Sequence, residues 1–353
     1  MIKVLIVDDS PVIHRLIETV AAKHFAQQYT FFHAMNGEEG VQQTQKENPD
    51  LIIMDIEMPI MDGLTATRHI MQQNPKPIIV FSAATKKIAN LVMLALEAGA
   101  VDVIEKPENL TSAEVESYLL QTLFQRMKIF YGFKVIKRFN PETVQRLAQE
   151  QQKLKQIAEK KKSTEVPYPI VGIASSTGGP QTLKRILSQL KKTSYPIIII
   201  QHIPKGFIEG FREWLLKATQ LECDFAQENT HPKPGVVYVV NEDKHLSFNS
   251  RGEFSFIDKP PIFGIRPAAD YFFESLGEVY KERAIGIVLT GMGEDGCKGA
   301  EKIKANGGTI IAEAEEDCIV FGMPKAVIEA NLVDKVMKID EIVNFLNNLS
   351  EHF

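Results

Sequence analysis

Five residues in the first third of the chain could together handle a phosphoryl group. Asp8 and Asp9 close the run "KVLIVDD", Asp55 closes "LIIMD", Ser82 closes "IIVFS" and Lys106 closes "DVIEK". Each run is apolar and strand-length, as in a parallel sheet covered on both faces, whose strands open their carboxyl ends onto one rim. Three carboxylates on that rim repel one another and call for a hard cation with oxygen ligands, Mg²⁺ above all. A carboxylate beside such a cation can attack phosphorus while the metal neutralises charge on the other oxygens. A hydroxyl and an ammonium on the same rim would hold those oxygens. Strand-end acids also serve as helix N-caps. Asp50, Asp102 or Ser10 alone reads that way; the five residues as a set do not.

A second constellation begins in "IVGIASSTGGPQTL", residues 170–183. An apolar run ends in two serines and two glycines before a helical stretch. A P-loop would need a lysine after the glycines, and none is there. The dinucleotide fingerprint G-x-G-x-x-G also fails on spacing. A nucleophile elbow needs small residues two before and two after its serine. Ser176 has Ala174 and Gly178 there, whereas Ser175 has Ile173 and Thr177. Ser176 is therefore the better nucleophile, and Ser175 completes the strand. His202 follows "PIIIIQ" and Asp295 lies in "TGMGEDGCKG" after "AIGIVLT", so a base and an orienting acid also sit at strand ends. Triads are defined by geometry rather than chain order. Two alternatives stay open at this level: Glu294 as the acid, and the glycine-rich loop as a phosphate nest.

The elements that position these residues alternate. Residues 1–122 carry the four apolar runs above, separated by helix-length stretches such as "PVIHRLIETVAAKHF". From residue 169 the runs "PIVGIA", "YPIIIIQ", "RAIGIVLT" and "GGTIIAEA" repeat the pattern, interrupted by "GVVYVVN" and "HLSFNSRGEFSFI". The latter, with two alternating runs about Ser250-Arg251-Gly252, predicts a hairpin. The expected fold is α/β, with two doubly wound parallel sheets and an antiparallel insert in the second. Charge divides the chain similarly: net −7 over 1–122, +7 over 123–168 and −5 over 169–353. The basic 123–168 segment reads as a largely helical linker. Its helix starts at Asn140-Pro141, a narrow seam runs through Val144, Leu147, Gln151, Leu154 and Ala158, and "EKKKSTEVPYP" forms a joint. A connector of about 45 residues can let one domain lie over the other.

Composition narrows the function classes. With 353 residues, 44% hydrophobic and 24% charged, the chain is of ordinary globular type, and two domains are expected. A net charge of −5 and the lack of a helix-turn-helix signal argue against nucleic acid. No apolar run approaches a bilayer span, and "MIKVLIVDDS" is not a signal peptide, so no membrane insertion is expected. Cys223, Cys297 and Cys318 have neither disulfide nor metal spacing, which fits a reducing cytoplasm.

Two resemblances sharpen these readings. With "VDDS", "MDIEMPIMDG", "FSA" and "EKP", residues 1–122 resemble a response-regulator receiver domain, flavodoxin-like in fold. That resemblance implies phosphorylation at Asp55 and Mg²⁺ held by Asp9, Asp55 and the Glu57 carbonyl, with Asp8 assisting. It also implies phosphoryl contacts from Ser82 and Lys106 and a cis Lys106–Pro107 bond. Val103 stands where the family often has an aromatic switch residue. With "SSTGGP", "IIQHIPKGF", "IRPAADYFF", "IVLTGMGEDG" and "CIVFGMPKAV", residues 169–350 resemble the Rossmann-like catalytic domain of chemotaxis protein-glutamate methylesterases. This implies Ser176 as nucleophile, His202 as base, Asp295 as orienting acid and main-chain N–H groups of Thr177 and Met292 at the oxyanion. Ala174, Ser175 and Ile265 stand where the family usually has glycine, alanine and histidine. Together the resemblances imply a phosphorylation-activated serine esterase with no cofactor in its catalytic domain. Its substrates would be glutamate γ-methyl esters on cytoplasmic helices of chemoreceptors, with methanol released, and the family also deamidates glutamines. A sensor histidine kinase would be the phosphodonor. The rivals are a regulator whose second domain only binds a partner and, more weakly, a nicotinamide enzyme.

Overall fold

The apolar runs become parallel strands because burial on both faces demands apolar residues at every position. In the computed structural model, which describes residues 1–26, 28–107, 111–132, 168–241, 243–262 and 264–349, the strands form two parallel sheets and a hairpin. The first sheet holds β1 (Ile2–Val7), β2 (Tyr29–Ala34), β3 (Leu51–Met54), β4 (Ile78–Ser82) and β5 (Asp102–Glu105) in the order β2-β1-β3-β4-β5. The order reverses between β1 and β3, and that switch point opens between Asp8–Asp9 and Asp55. Helices α1 (Pro11–Phe25), α2 (Gly37–Glu47), α3 (Gly63–Gln73), α4 (Lys86–Ala98) and α5 (Ser112–Gln121) alternate with these strands.

The charge partition at residue 122 needs correction. Helix α6 (Leu123–Phe130) buries Leu123, Phe124, Met127 and Phe130 completely. Phe124 packs on Phe25 and Tyr29, with ring centroids 4.9 and 6.0 Å away. The basic residues of this stretch ride the outer face of a helix whose apolar face finishes the first core, so net charge misplaces the boundary. The Asn140-Pro141 helix start, the 144–158 seam and the "EKKKSTEVP" part of the joint lie outside the described residues. Lys106–Pro107 is trans; the cis bond among the described residues is Arg266–Pro267.

The second sheet has seven strands. These are β6 (Ile170–Ser175), β7 (Ile197–Gln201), β8 (Glu222–Phe225), β9 (Val236–Val239), β12 (Ala284–Val288), β13 (Thr309–Glu313) and β14 (Lys335–Met337). All pairs are parallel in the order β14-β13-β12-β6-β7-β9-β8, reversing between β6 and β12. "GVVYVVN" does not interrupt the sheet; it is β9, paired with β7. The expected hairpin is β10 (His245–Phe248) with β11 (Phe254–Ile257). Around the sheet lie α7 (Gly179–Leu187), α8 (Ile208–Ala218), α9 (Ala269–Tyr280), α10 (Cys297–Ala305), α11 (Met323–Glu329) and α12 (Ile339–Asn348).

The two domains share one apolar core. Val92, Met93 and Leu96 of α4 belong to the same buried cluster as Phe207, Phe211 and Trp214 at α8. At Gly210 a Cβ would come within 2.8 Å of the Ala89 main chain, so only glycine permits this approach of the helices. Polar contacts frame the seam: Lys184 pairs with Glu97 at 2.7 Å, Trp214 Nε1 donates to Glu97 at 3.1 Å, and Gln181 Nε2 donates to the Ala100 carbonyl at 2.9 Å. Burial raises the Glu97 pKa, but the hydrogen bonds from Lys184 and Trp214 outweigh it and bring it below the ordinary carboxylate value. No helix among the described residues is long and apolar enough to cross a membrane.

Candidate active site

The rim of the first sheet gathers the acids as the strand ends require. Oxygens of Asp8, Asp9 and Asp55 lie within 4.8 Å of one another. Asp8 and Asp55 are buried, and Asp9 is exposed. Lys106 Nζ reaches Asp8 at 2.8 Å and also pairs with Asp55, to which Ser82 Oγ donates at 2.6 Å. Burial, joined by the Asp55 charge, raises the Asp8 pKa even against Lys106. Burial works against the Lys106 ammonium, but the charges of Asp55 and Asp8 prevail and hold its pKa above the ordinary lysine value. The Glu57 side chain turns outward to Lys87 at 2.9 Å, and its carbonyl accepts from no described donor. Crowded carboxylates with one ammonium among them form a hard-oxygen donor set that fits Mg²⁺. The bound cation would supply charge neutralisation during phosphoryl transfer.

On the second sheet the serine elbow is built as the small residues allow. Strand β6 ends at Ser175, Gly178 takes φ +80°, and α7 begins at Gly179. Ser176 follows the strand, 5% exposed, with its N–H on the Thr290 carbonyl at 3.1 Å. A Cβ on Gly291 would sit 2.8 Å from Ser176 Cβ and 2.3 Å from Met323 Sδ, so the two loops touch because Gly291 has no side chain. The N–H groups of Thr177 and Met292 donate to no described acceptor.

His202 follows β7, and its N–H continues the ladder to the Ser175 carbonyl at 2.9 Å. Its Nε2 lies 2.8 Å from Asp295 Oδ2. An ionised carboxylate only accepts, so Nε2 carries the proton and the neutral ring's lone pair is on Nδ1. That Nδ1 is buried without a hydrogen-bond partner. No hydrogen bond joins Ser176 Oγ to the ring among the described contacts. Asp295, 1% exposed, also accepts from Ala269 N–H at 2.6 Å and Asp270 N–H at 3.0 Å, at the start of α9. Burial raises its pKa, but the His202 contact and the two amides outweigh that and bring it below the ordinary value. Glu294 is exposed, and it is Asp295 that touches the imidazole.

Three supporting residues escape sequence reasoning. Asp270 Oδ1 accepts Gly296 N–H at 2.9 Å and Gly299 N–H at 3.0 Å. Asp295 thus caps α9 while Asp270 caps α10, and of the glycine-rich loop's amides those of Gly291 and Gly296 are taken up by the Val320 carbonyl and Asp270. Gln201 Nε2 donates to the carbonyls of Ser176 and His202, both at 2.9 Å. Asp102 of the first domain accepts from Thr177 Oγ1 at 2.8 Å and pairs with Arg126 at 3.2 Å. "IIQHIP" and "IRPAAD" did mark Gln201 and Asp270 as neighbours of motif residues; Asp102, which alone reads as a helix cap, instead opens β5, and nothing local marks its reach to Thr177.

Residues 171–346 match the family model described as CheB methylesterase, and residues 4–114 match the response regulator receiver domain. A protein-glutamate methylesterase/protein-glutamine glutaminase of Thermotoga maritima is 37% identical over 344 residues, 96% of this chain and 95% of that protein. One of Pyrococcus horikoshii is 36% identical over 349 residues, 97% of this chain and 91% of that protein. The crystal structure of the Thermotoga maritima CheB methylesterase catalytic domain is 40% identical and covers 52% of this chain and 100% of that chain at a TM-score of 0.49. The chain belongs to the protein-glutamate methylesterase/protein-glutamine glutaminase family, with a receiver domain ahead of its esterase domain.

Proposed function

We propose that Ser176, His202 and Asp295 hydrolyse glutamate γ-methyl esters on the cytoplasmic helices of chemoreceptors, and that the receiver restrains them until Asp55 is phosphorylated. The observation that carries the triad is the state of the imidazole: Nε2 is held by Asp295, and Nδ1 is buried and unpartnered at the strand end beside Ser176. His202 Nδ1 takes the Ser176 proton as Oγ attacks the ester carbonyl. The growing imidazolium is stabilised by Asp295. The N–H groups of Thr177 and Met292 receive the oxyanion, each worth about 3–4 kcal/mol. Methanol leaves with the proton from Nδ1. Water, deprotonated by the same nitrogen, then attacks the acyl carbon, and Nδ1 returns the proton to Ser176 Oγ as the glutamate carboxylate is released. A glutamine side chain follows the same route with ammonia as leaving group.

Restraint by the receiver is supported by what lies on the elbow. Thr177, next to the nucleophile, is 4% exposed and bonded to Asp102, while Ile319 and Val320 pack against the receiver core. A bulky receptor helix meets that cover first. A sensor kinase in the cytoplasm would supply the phosphoryl group to Asp55, with Ser82 and Lys106 contacting it and Asp8, Asp9, Asp55 and the Glu57 carbonyl holding Mg²⁺. Val103 is buried in the shared core and offers no aromatic rotamer at its position, so the route of coupling has to run elsewhere than through this side chain. A shorter route runs from Ser82 to Ala84, on which Gly206 packs so closely that a Cβ would come within 2.1 Å. Methanol release from methylated receptor membranes tests the reading. The wild-type chain should release it and Ser176→Ala should not; equal release by both would exclude Ser176.

A further inference from the structure

We infer that Gln201 is a positioning residue for the esterase, held in its working orientation by the Ser175 hydroxyl. This inference rests on the Ser176–His202 reading above. The β6–β7 ladder pairs Ser175 with Gln201 and ends with His202 N–H on the Ser175 carbonyl. Beyond that rung the main chains part, one into the elbow and one into the "HIPKGF" loop. There the Gln201 side chain takes over. Its amide donates one hydrogen to the Ser176 carbonyl and the other to the His202 carbonyl, each at 2.9 Å. One planar group thus ties the main chain of the nucleophile to the main chain of the base.

The amide cannot turn over, because a flip would set Oε1 against two carbonyl oxygens that only accept. With both donors committed, Oε1 needs a donor of its own. Ser175 Oγ donates to it at 2.7 Å. Both residues are buried, Ser175 fully, so water cannot substitute freely. The fit is tight from the other side as well: a Cβ on Gly179 would lie 2.2 Å from Oε1 and 2.8 Å from Ser175 Cβ. Gly179 therefore serves the clamp as well as the helix start, and the Ser175 hydroxyl acts on the reaction only through Gln201.

The clamp governs how Ser176 Oγ and His202 Nδ1 meet, a quantity to which rate is steep: an ångström of misplacement costs on the order of a hundredfold. The test uses the full chain with Gln201→Met, Ser175→Ala, the double variant and Ser176→Ala, assayed for receptor-ester hydrolysis, for labelling by a fluorophosphonate probe across pH, and for thermal unfolding. Gln201→Met should lower kcat by roughly ten- to a hundredfold with KM within about twofold, and should slow labelling in proportion at every pH. Ser175→Ala should lower kcat by a few-fold in the wild-type background and by nothing further beside Gln201→Met. Unchanged kcat in Gln201→Met, a rise in KM alone, or additive losses in the double variant overturns the clamp. If Gln201→Met does not fold, Ser175→Ala decides alone: an unchanged kcat and labelling profile overturns it. Failure of the triad reading looks different, since Ser176→Ala would then keep its activity.

Discussion

Glu97→Ala should release the receiver's restraint without touching either reaction centre. The carboxylate sits in the seam between the domains, 2.7 Å from Lys184 Nζ and 3.1 Å from Trp214 Nε1. The ion pair is about a third exposed on both sides, so solvent and salt screen it, and it contributes no more than about 0.5 kcal/mol. The Trp214 bond, made to a charged acceptor but only half-buried, contributes about 0.5–1 kcal/mol. Together these weaken the docked state by about 0.5–1.5 kcal/mol, a two- to twelvefold shift toward the open one. Unphosphorylated Glu97→Ala should therefore release methanol from methylated receptors about two to twelve times faster than wild type. Its maximal rate with a phosphodonor should be unchanged, so the stimulation shrinks by the same factor. Raising ionic strength should speed the unphosphorylated wild type and leave the variant less affected. An unaltered basal rate, with the variant folded as wild type, would refute restraint through this seam.

Other expectations follow from the site itself. Asp295→Asn should cut kcat by about 10³–10⁴-fold because it disturbs the imidazole tautomer, whereas Glu294→Gln should stay within about twofold; the reverse ranking would overturn the assignment. The same variant tests the charge. Because the folded Asp295 pKa lies below the reference 3.8, its stabilisation is present above that value and lost as pH falls through the folded pKa. The melting-temperature gap between wild type and Asp295→Asn should then be widest near neutrality and close in acid, and a gap independent of pH would contradict it. Gly291→Ala, whose Cβ would crowd Ser176 Cβ at 2.8 Å, should slow fluorophosphonate labelling of Ser176 about a hundredfold with the fold retained. Labelling at the wild-type rate would show that the loops have room to separate.

How much of this was legible in the chain depended on burial. Interior strands announced themselves as apolar runs, and so did the residues that cap them. The strands that went unread, β2, β8 and β14, are all edges. Each is partly exposed, as in the alternating exposure of Glu222–Phe225, so none carries a continuous apolar run. Helix α6 was assigned to the linker because Arg126 and Lys128 are visible in a charge count, whereas its buried face has meaning only against Phe25 and Tyr29. At the site, spacing singled out Ser176 and His202 but left Asp295 against Glu294 open, and burial and contact separate those two. Gln201 and Asp270 bond to main-chain groups across strand and helix ends, which no spacing rule encodes. The Asp102–Thr177 contact joins residues 75 positions apart in two domains. Only the docked arrangement creates it.

If the phosphorylation state of Asp55 governs access to Ser176, methanol release from methylated receptor membranes by the full chain, with and without Mg²⁺ and a small phosphodonor, in wild type and Asp55→Asn, will show it. The wild-type rate should rise only with both additions, and the Asp55→Asn rate should not rise. Stimulation of both proteins alike, or of neither while Ser176-dependent release continues, would contradict it.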